Sequence, residues 1–273
     1  MNKTRLIPVF CRALPLIPGT IPRYLEYMMK LLGITAHPDD EVGAFGGSLL
    51  LYNSRGVETH VLCLTPGQAA TNRGDARSDE ELAAIRRAEF AASCKILRVS
   101  GAQVLDYPDG GLSRMDFYSV VGDLTRRVRR IKPNVILTMG TEGAITGHSD
   151  HSMASIFATM AFHWAARKDG YPEQLIEGLE PHRAQKLYYC TASFILPDRQ
   201  PVSPPPSTAT IDVASFLETK IEAAQAHRTQ APIMRLFEKT LQRFGAVELF
   251  HLAAANRPST LAAEADLFAG VEE

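Results

Sequence analysis

Short apolar runs and longer amphipathic segments follow one another along this chain in a repeated order. The short runs have the length and β-branched content of buried strands, and the longer segments repeat at helical spacing. We predict strands at residues 31–35, 58–65, near 104, 135–139, 186–190, 210–213 and 247–252. We predict helices at about residues 42–55, 79–97, 116–131, 215–227 and from about 148. This alternation predicts an α/β fold with a Rossmann-like, doubly wound and mostly parallel sheet in a three-layer α/β/α arrangement.

The domain organisation predicted from the sequence is simple. The chain has 273 residues, enough for one large domain, and it shows no internal repeat and no second core. We predict an N-terminal extension over residues 1–30 and a single domain over residues 31–273. The extension alternates basic residues with apolar stretches broken by prolines, and it lacks the uninterrupted apolar stretch of a secretory signal. We expect it to pack on the body or on a neighbouring subunit.

The composition limits the expected binding partners and indicates a cellular compartment. Lys and Arg total 29 against 30 for Asp and Glu, a formal net charge of −1, so no nucleic-acid partner is expected. No apolar run approaches the ~20 residues that a membrane-spanning helix needs. The 4 cysteines have no paired spacing, which indicates a reducing compartment and therefore a cytoplasmic protein.

Two polar motifs carry the candidate chemistry. His-Pro-Asp-Asp-Glu at residues 37–41 follows the first predicted strand, and Gly-His-Ser-Asp-His at residues 147–151 follows the fourth. Active sites of α/β proteins lie at the carboxyl ends of strands. In the common 3-2-1-4-5 strand order the first and fourth strands are neighbours, and this order would bring both motifs into one crevice.

The residue types in these motifs fit a hydrolytic metal site. A catalytic zinc takes three nitrogen or oxygen ligands from the protein and keeps one position for water, and His37, Asp40 and His151 supply such a set. Asp39 is then free to act as a general base. His148 lies on the same helical face as His151, and Asp150 between them could orient a neighbouring imidazole.

Together the two motifs resemble the LmbE-like (PIG-L) family of zinc-dependent N-deacetylases, whose usual substrates are N-acetylglucosamine derivatives. The resemblance covers about residues 31–164. It implies zinc as the cofactor, with other divalent metals such as Fe²⁺ compatible with the same ligands. It also implies His37, Asp40 and His151 as ligands and leaves a homo-oligomer open. The roles that it implies for the remaining residues are general base for Asp39, oxyanion stabiliser or acid for His148, and support for His148 from Asp150.

Two further residues are matched by the same resemblance as substrate-binding groups. Arg86, in Arg-Arg-Ala-Glu of the second helix, would reach sugar hydroxyls, although a charge pair on a helix explains it equally well. Asp109, in Tyr-Pro-Asp-Gly-Gly, would bind sugar, although Asp-Gly is also a common turn. His227 lies in a segment that resembles a motif near the C-terminal end of the family's sequences. For this histidine a structural role is at least as well supported as a role in the active site.

The sequence therefore predicts a metal-dependent hydrolase that removes the acetyl group from an N-acetylglucosamine-type substrate. Two alternatives stay open at this point. His37-Pro38-Asp39 with a distant histidine also fits the facial triad of non-haem iron oxygenases, although those enzymes use an all-β jelly roll. A catalytically silent sugar-binding protein on the same fold is the other. The sequence does not select among free, phosphorylated, lipid-linked or oligomeric forms of the amino sugar.

Overall fold

The computed structural model describes residues 28–194, 201–257 and 263–272. A seven-stranded sheet has the order β3-β2-β1-β4-β5-β7-β6. Its strands are β1 Lys30–Thr35, β2 Glu58–Cys63, β3 Gly101–Val104, β4 Val135–Thr138, β5 Lys186–Thr191, β6 Ala209–Asp212 and β7 Val247–Ala255. Strands β1 to β5 pair in parallel, and β7 runs antiparallel to both β5 and β6. The predicted 3-2-1-4-5 order is confirmed.

Helices cover both faces of this sheet. They are α1 Asp40–Ser54, α2 Asp79–Ile96, α3 Phe117–Ile131, α4 Ser149–Ala165, α5 Pro172–Ile176, α6 Leu217–Gln225 and α7 Ala231–Phe244. Helices α1, α2 and α6 enclose one hydrophobic core with the sheet, and α3 and α4 enclose the other. The predicted α/β fold, with a mostly parallel sheet between helices, is therefore confirmed.

Several elements differ from the sequence prediction. Helix α1 begins at Asp40, two residues earlier than predicted, because the His-Pro-Asp-Asp-Glu motif itself turns into the helix. Helices α5 and α7 were not predicted. The predicted extension over residues 1–30 lies outside the described residues up to residue 27, and the assignment of residues 31–273 to one domain stays a prediction. In the part of the chain that the structure describes, no helix is long and apolar enough to cross a membrane.

Helix α1 bends near its middle, and a distant carboxylate stabilises the bend. Phe45 has non-helical backbone angles of φ −157° and ψ 23°, so the helix restarts behind it. The backbone N–H groups of Gly47 and Ser48 donate to the two oxygens of Glu248, each at 2.8 Å, as in an N-cap. Lys220 pairs with the same buried carboxylate at 2.5 Å. The angle of the first turn of α1, which carries two acidic motif residues, is therefore fixed from β7 and α6.

A buried arginine closes the end of helix α4. Arg129 of α3 is 1% exposed. Among the residues that the structure describes, its acceptors are neutral oxygens, including the carbonyls of the last two residues of α4. These acceptors are the carbonyls of Trp164, Ala165, Arg167, Gly170 and Tyr171 and the side-chain amide of Gln174. The arginine thus holds the α4 to α5 connection against α3.

Replacing Arg129 with alanine is expected to lower the free energy of unfolding by about 2–4 kcal/mol, because it removes the donor to the buried Gln174 side-chain oxygen and to the Arg167 and Gly170 carbonyls and leaves a cavity beside α4. Urea denaturation followed by circular dichroism measures the loss. The neighbouring Arg130 is exposed, and Arg130→Ala serves as the matched control with little change. Equal urea concentrations at the midpoint of unfolding for the two variants would contradict the structural role of Arg129.

Candidate metal centre and active site

The two polar motifs meet at one edge of the sheet. Strands β1 and β4 pair directly, with Ile34 opposite Thr138, so the segments that follow them emerge side by side. The ring centroid of His37 lies 4.8 Å from that of His148 and 5.3 Å from that of His151. The predicted crevice therefore exists, although the two motifs are about a hundred residues apart in sequence.

The three predicted metal ligands face one another. Asp40 Oδ1 lies 3.1 Å from His151 Nε2, and Asp40 Oδ2 lies 3.5 Å from His37 Nδ1. The backbone N–H of His37 also donates to Asp40 Oδ2 at 2.8 Å, which fixes the turn. All three side chains are about nine-tenths buried. Asp40 thus lies between the two imidazoles, with one carboxylate oxygen facing His151 and the other facing His37.

The second nitrogen of each imidazole has its own acceptors. His37 Nε2 lies 3.0 Å from Asp109 Oδ1 and 3.4 Å from Asp150 Oδ2. His151 Nδ1 lies 3.2 Å from the carbonyl oxygen of Gly143. Metal-binding histidines usually donate their other ring N–H to a carboxylate or a carbonyl, which fixes the tautomer and the ring orientation. The donor set and its supporting contacts therefore fit a divalent metal.

Charge in the site follows from these contacts. Burial by itself lowers the pKa of His37, but its hydrogen bonds to Asp109, Asp150 and Asp40 outweigh burial and hold the pKa well above its usual value. Burial raises the pKa of Asp40, and the facing His151 and His37 outweigh it and hold the pKa well below its usual range. The crevice thus concentrates carboxylates around two imidazoles, an environment that favours a bound cation.

Asp150 occupies a different place from the one that the sequence indicated. Its side chain is fully buried, and it accepts hydrogen bonds from the backbone N–H groups of Gly110 at 2.7 Å and Leu112 at 3.2 Å. The carboxylate faces His37, whereas the contact with His148 runs through the Asp150 backbone N–H. In this arrangement Asp150 orients a predicted metal ligand.

The ring of His148 presents one nitrogen to the crevice. Its Nδ1 accepts from the backbone N–H of Asp150 at 3.1 Å, so the neutral ring carries its proton on Nε2. Burial lowers the pKa of His148, and the nearby His37 and His151 lower it further. His148 is exposed, in contrast to the buried His151. The geometry supplies a neutral N–H donor beside the three ligands.

Asp39, the predicted base, is held in an uncommon backbone conformation. Its φ of 107° lies in the left-handed region that residues with a side chain rarely adopt, and such strain persists only where the surroundings enforce it. The Asp39 backbone N–H donates to Glu41 Oε2 at 2.9 Å. Arg86 Nη2 donates to Asp39 Oδ2 at 3.0 Å and also to the carbonyl of Pro38. Asp39 is therefore fixed on both sides of its Cα atom.

The same contacts set the ionisation of Asp39. Burial raises the pKa of Asp39 to about 6, and the negative charge of Asp40 adds to this effect. The Arg86 guanidinium opposes the rise. A carboxylate with a pKa nearer neutrality is a better proton acceptor than an ordinary surface aspartate.

Glu41 connects the motif to the far end of the chain. Its side chain is fully buried, and Glu41 Oε1 accepts from His227 Nε2 at 2.8 Å and from Ser93 Oγ at 2.7 Å. Its other oxygen holds the Asp39 backbone. No role was predicted for Glu41 from the sequence, where the one relevant signal was the similarity of the segment around His227 to a motif of the family.

Arg86 and Asp109 line the crevice but are already engaged. Arg86 Nη1 donates to the carbonyl of Gly67 at 2.9 Å, and the Arg86 side chain is 4% exposed. Gly67 has φ +70°, and a Cβ atom there would overlap the guanidinium. Asp109 Oδ2 accepts from the backbone N–H of Ala69 at 2.9 Å. These contacts give both residues a local role beside any contact with substrate.

A cavity of about 530 Å³ contains these groups. This volume lies within the usual range of small-molecule sites. All the residues predicted to be ligands, base, oxyanion donor or sugar contacts line it, and Asp150 lies behind the wall. The chemistry and the space for a substrate therefore coincide.

Comparison with known families agrees with this geometry. Residues 32–162 match the family model described as PIG-L: GlcNAc-PI de-N-acetylase, a span that contains both motifs. The chain carries a PIG-L (LmbE-like) domain. The resemblance recognised in the sequence is confirmed.

Two relatives of this chain are named deacetylases. Diacetylchitobiose deacetylase of Thermococcus kodakarensis is 28% identical over 216 residues, which cover 78% of this chain and 75% of the relative. The 1D-myo-inositol 2-acetamido-2-deoxy-alpha-D-glucopyranoside deacetylase of Rhodococcus erythropolis is 28% identical over 275 residues, which cover 82% of this chain and 91% of the relative. Both relatives act on acetamido sugars, as their names state.

The fold is shared with solved structures. GalB, the 4-carboxy-2-hydroxymuconate hydratase of Pseudomonas putida, superposes with a TM-score of 0.65 at 21% identity, covering 86% of this chain and 100% of GalB. Identity at this level shows the fold alone. Because that fold also occurs in a hydratase, the residues of the site and not the fold determine the reaction of this protein.

Replacing Arg86 with alanine is expected to lower kcat/KM by about 5–150-fold, the effect of losing ~1–3 kcal/mol from a buried charge-assisted hydrogen bond, with the metal retained. Loss in kcat would indicate that Arg86 positions Asp39, and a rise in KM would indicate contact with sugar hydroxyls. Arg87 lies next to it on α2 and binds the Val104 carbonyl, so Arg87→Ala is the matched control. An unchanged kcat/KM in Arg86→Ala would exclude both roles.

Proposed function

We propose that this protein is a metal-dependent N-deacetylase that hydrolyses the acetamido group of an N-acetylglucosamine-type substrate. The observation that carries the proposal is the convergence of His37, Asp40 and His151 in one cavity with Asp39 beside them. The named relatives, which act on acetamido sugars, support the same reaction. In this reaction water adds to the amide carbonyl, the C–N bond breaks, and acetate and a free amine leave.

The roles of the chain's own residues follow from their positions. His37, Asp40 and His151 would hold the metal, and a divalent metal there lowers the pKa of water and polarises a carbonyl. Asp39, ionised and fixed by Arg86, takes a proton from the attacking water. The protonated Asp39 then returns that proton to the departing nitrogen.

His148 stabilises charge on the former carbonyl oxygen. Its Nδ1 is occupied by the Asp150 backbone N–H, so its Nε2–H is the group available to the substrate. A fixed N–H donor aimed at a developing oxyanion contributes more in a water-poor cavity than in bulk solvent. Asp150 and Asp109 act through His37, whose ring they orient.

We propose zinc as the native metal, since two imidazoles and one carboxylate with room for water form a typical catalytic zinc set. Iron(II) fits the same donors.

The alternatives from the sequence are not supported. An oxygenase jelly roll is all-β, whereas the sheet here is mostly parallel and covered by helices. A cytoplasmic location, the lack of a nucleic-acid partner and homo-oligomer formation stay predictions.

An amine-release panel tests the proposed substrate class. The metal-loaded protein is offered N-acetylglucosamine, its methyl glycoside, diacetylchitobiose, an N-acetylated peptide and N-acetyl-lysine. We expect amine from at least one acetamido sugar and none from the peptide. Release from N-acetyl-lysine or the peptide without release from any sugar would replace the proposal with that of a different amidase.

A further inference from the structure

The cavity at the metal centre extends away from the polar residues along helix α1. Gly43, two residues after the motif, has no side chain, and the ring of Phe237 from α7 lies 3.5 Å from the position that a Cβ atom of residue 43 would take. Beyond this point the wall is formed by large apolar side chains of α7, the start of β7 and the segment after β5. We call this part the apolar arm, lined by Phe194, Ile233, Phe237, Leu241, Phe244 and Val247.

Two side chains of the apolar arm are exposed at its border. Ile233 is 42% exposed and Val247 is 41% exposed, and both border the cavity. Phe194 and Phe244 stack with ring centroids 4.8 Å apart and an interplanar angle of 17°. Exposed apolar surface that continues into a catalytic cavity is typical of a ligand-binding wall.

Charges in the cavity disfavour an anionic ligand. Among the described residues that line it, Arg86 and Lys220 are the lysine and arginine side chains, and each is paired with a carboxylate. Lys220 and its partner Glu248 are 2% and 4% exposed, so neither is available to a phosphate. Glu142 adds a further carboxylate to the lining. A neutral group therefore suits this cavity better than a phosphorylated one.

From these observations we propose that the apolar arm binds an uncharged hydrophobic group linked to the amino sugar, so that the preferred substrates are N-acetylglucosaminides with an aromatic or alkyl aglycone. The inference rests on the proposed deacetylase function. It adds a substrate class, because the acetamido group would sit at the metal ligands while the aglycone displaces water from Phe237, Phe244 and Ile233.

The first test compares kcat/KM for the phenyl glycoside, the methyl glycoside and the 1-phosphate of N-acetylglucosamine. Burial of a phenyl ring against apolar side chains is expected to raise kcat/KM by roughly 10–100-fold over the methyl glycoside. The 1-phosphate is expected to react more slowly than the methyl glycoside. Equal rates for phenyl and methyl glycosides, or a preference for the phosphate, would overturn the proposal.

Matched variants locate the effect. Ile233→Ala and Phe237→Ala are expected to reduce the phenyl-to-methyl ratio of kcat/KM at least several-fold. Ile176 is 88% exposed on α5, away from the cavity, and Ile176→Ala is expected to leave the ratio unchanged. A ratio that stays at the wild-type value in both arm variants would contradict the assignment of the arm.

A binding measurement separates this proposal from the deacetylase proposal. The metal-loaded Asp39→Asn variant is titrated with the phenyl and methyl glycosides in a calorimeter. Tighter binding of the phenyl glycoside, with no amine released by the wild type from any sugar, would support the arm and reject the deacetylase function. Amine release from the wild type together with equal binding of both glycosides would support the deacetylase function and reject the role of the apolar arm.

Discussion

Asp39→Asn is expected to lower kcat by about 10²–10⁴-fold while leaving the metal in place, the usual cost of removing a general base. Asparagine has nearly the same shape as aspartate, and its amide oxygen can still accept a hydrogen bond from Arg86. It cannot take a proton from water. The backbone contact between residue 39 and Glu41 is also retained, so the strained turn is preserved.

Initial rates with an N-acetylglucosaminide and elemental analysis of the same samples test this expectation. Asp169 is exposed and lies after α4, far from the cavity, so Asp169→Asn is the matched control with wild-type rates. A metal-loaded Asp39→Asn protein with undiminished turnover would show that another group accepts the proton.

His151→Ala is expected to empty the metal site and to abolish turnover. The substitution removes one of the three proposed ligands and the partner that Asp40 Oδ1 contacts at 3.1 Å. Since two remaining ligands hold a catalytic metal poorly, the metal content should fall from about one per chain toward zero. The metal content of the variant and of the wild type is measured after extensive dialysis against metal-free buffer, which removes loosely bound metal.

His163 supplies the control on the same helix. It is exposed near the end of α4, so His163→Ala should keep full metal content and activity. Thermal unfolding should show that both variants are folded. Full metal occupancy in His151→Ala would remove this histidine from the ligand set.

The fold and the meeting of the two motifs could be predicted because both depend on local signals. Apolar runs identify the strands, and the carboxyl ends of parallel neighbours share an edge, so His37 and His148 had to approach once β1 and β4 were paired. Helix α7 was not predicted, although its sequence contains an apolar pattern at helical spacing. Ile233, Phe237, Leu241 and Phe244 recur at helical spacing after Pro232, a residue favoured at the first helical turn.

The contacts around the base could not be predicted in the same way. Glu41 and His227 are 186 residues apart, and no local pattern links them. The acceptor for Arg86 depends on how α2 packs against the first motif, which a sequence does not display. The same holds for Asp150, whose carboxylate is oriented by backbone N–H groups of a loop that follows β3.

Incubation in ¹⁸O-labelled water tests whether a metal-dependent site adds water to an acetamido carbonyl. Metal-loaded protein, chelated protein and protein reloaded with zinc are incubated with an N-acetylglucosaminide, and acetate and amine are quantified by mass spectrometry. We expect one acetate per free amine, with one labelled oxygen in each acetate. Chelation should abolish acetate release, and zinc should restore it. Unlabelled acetate, label appearing in the sugar without acetate release, or equal activity after complete metal removal would contradict it.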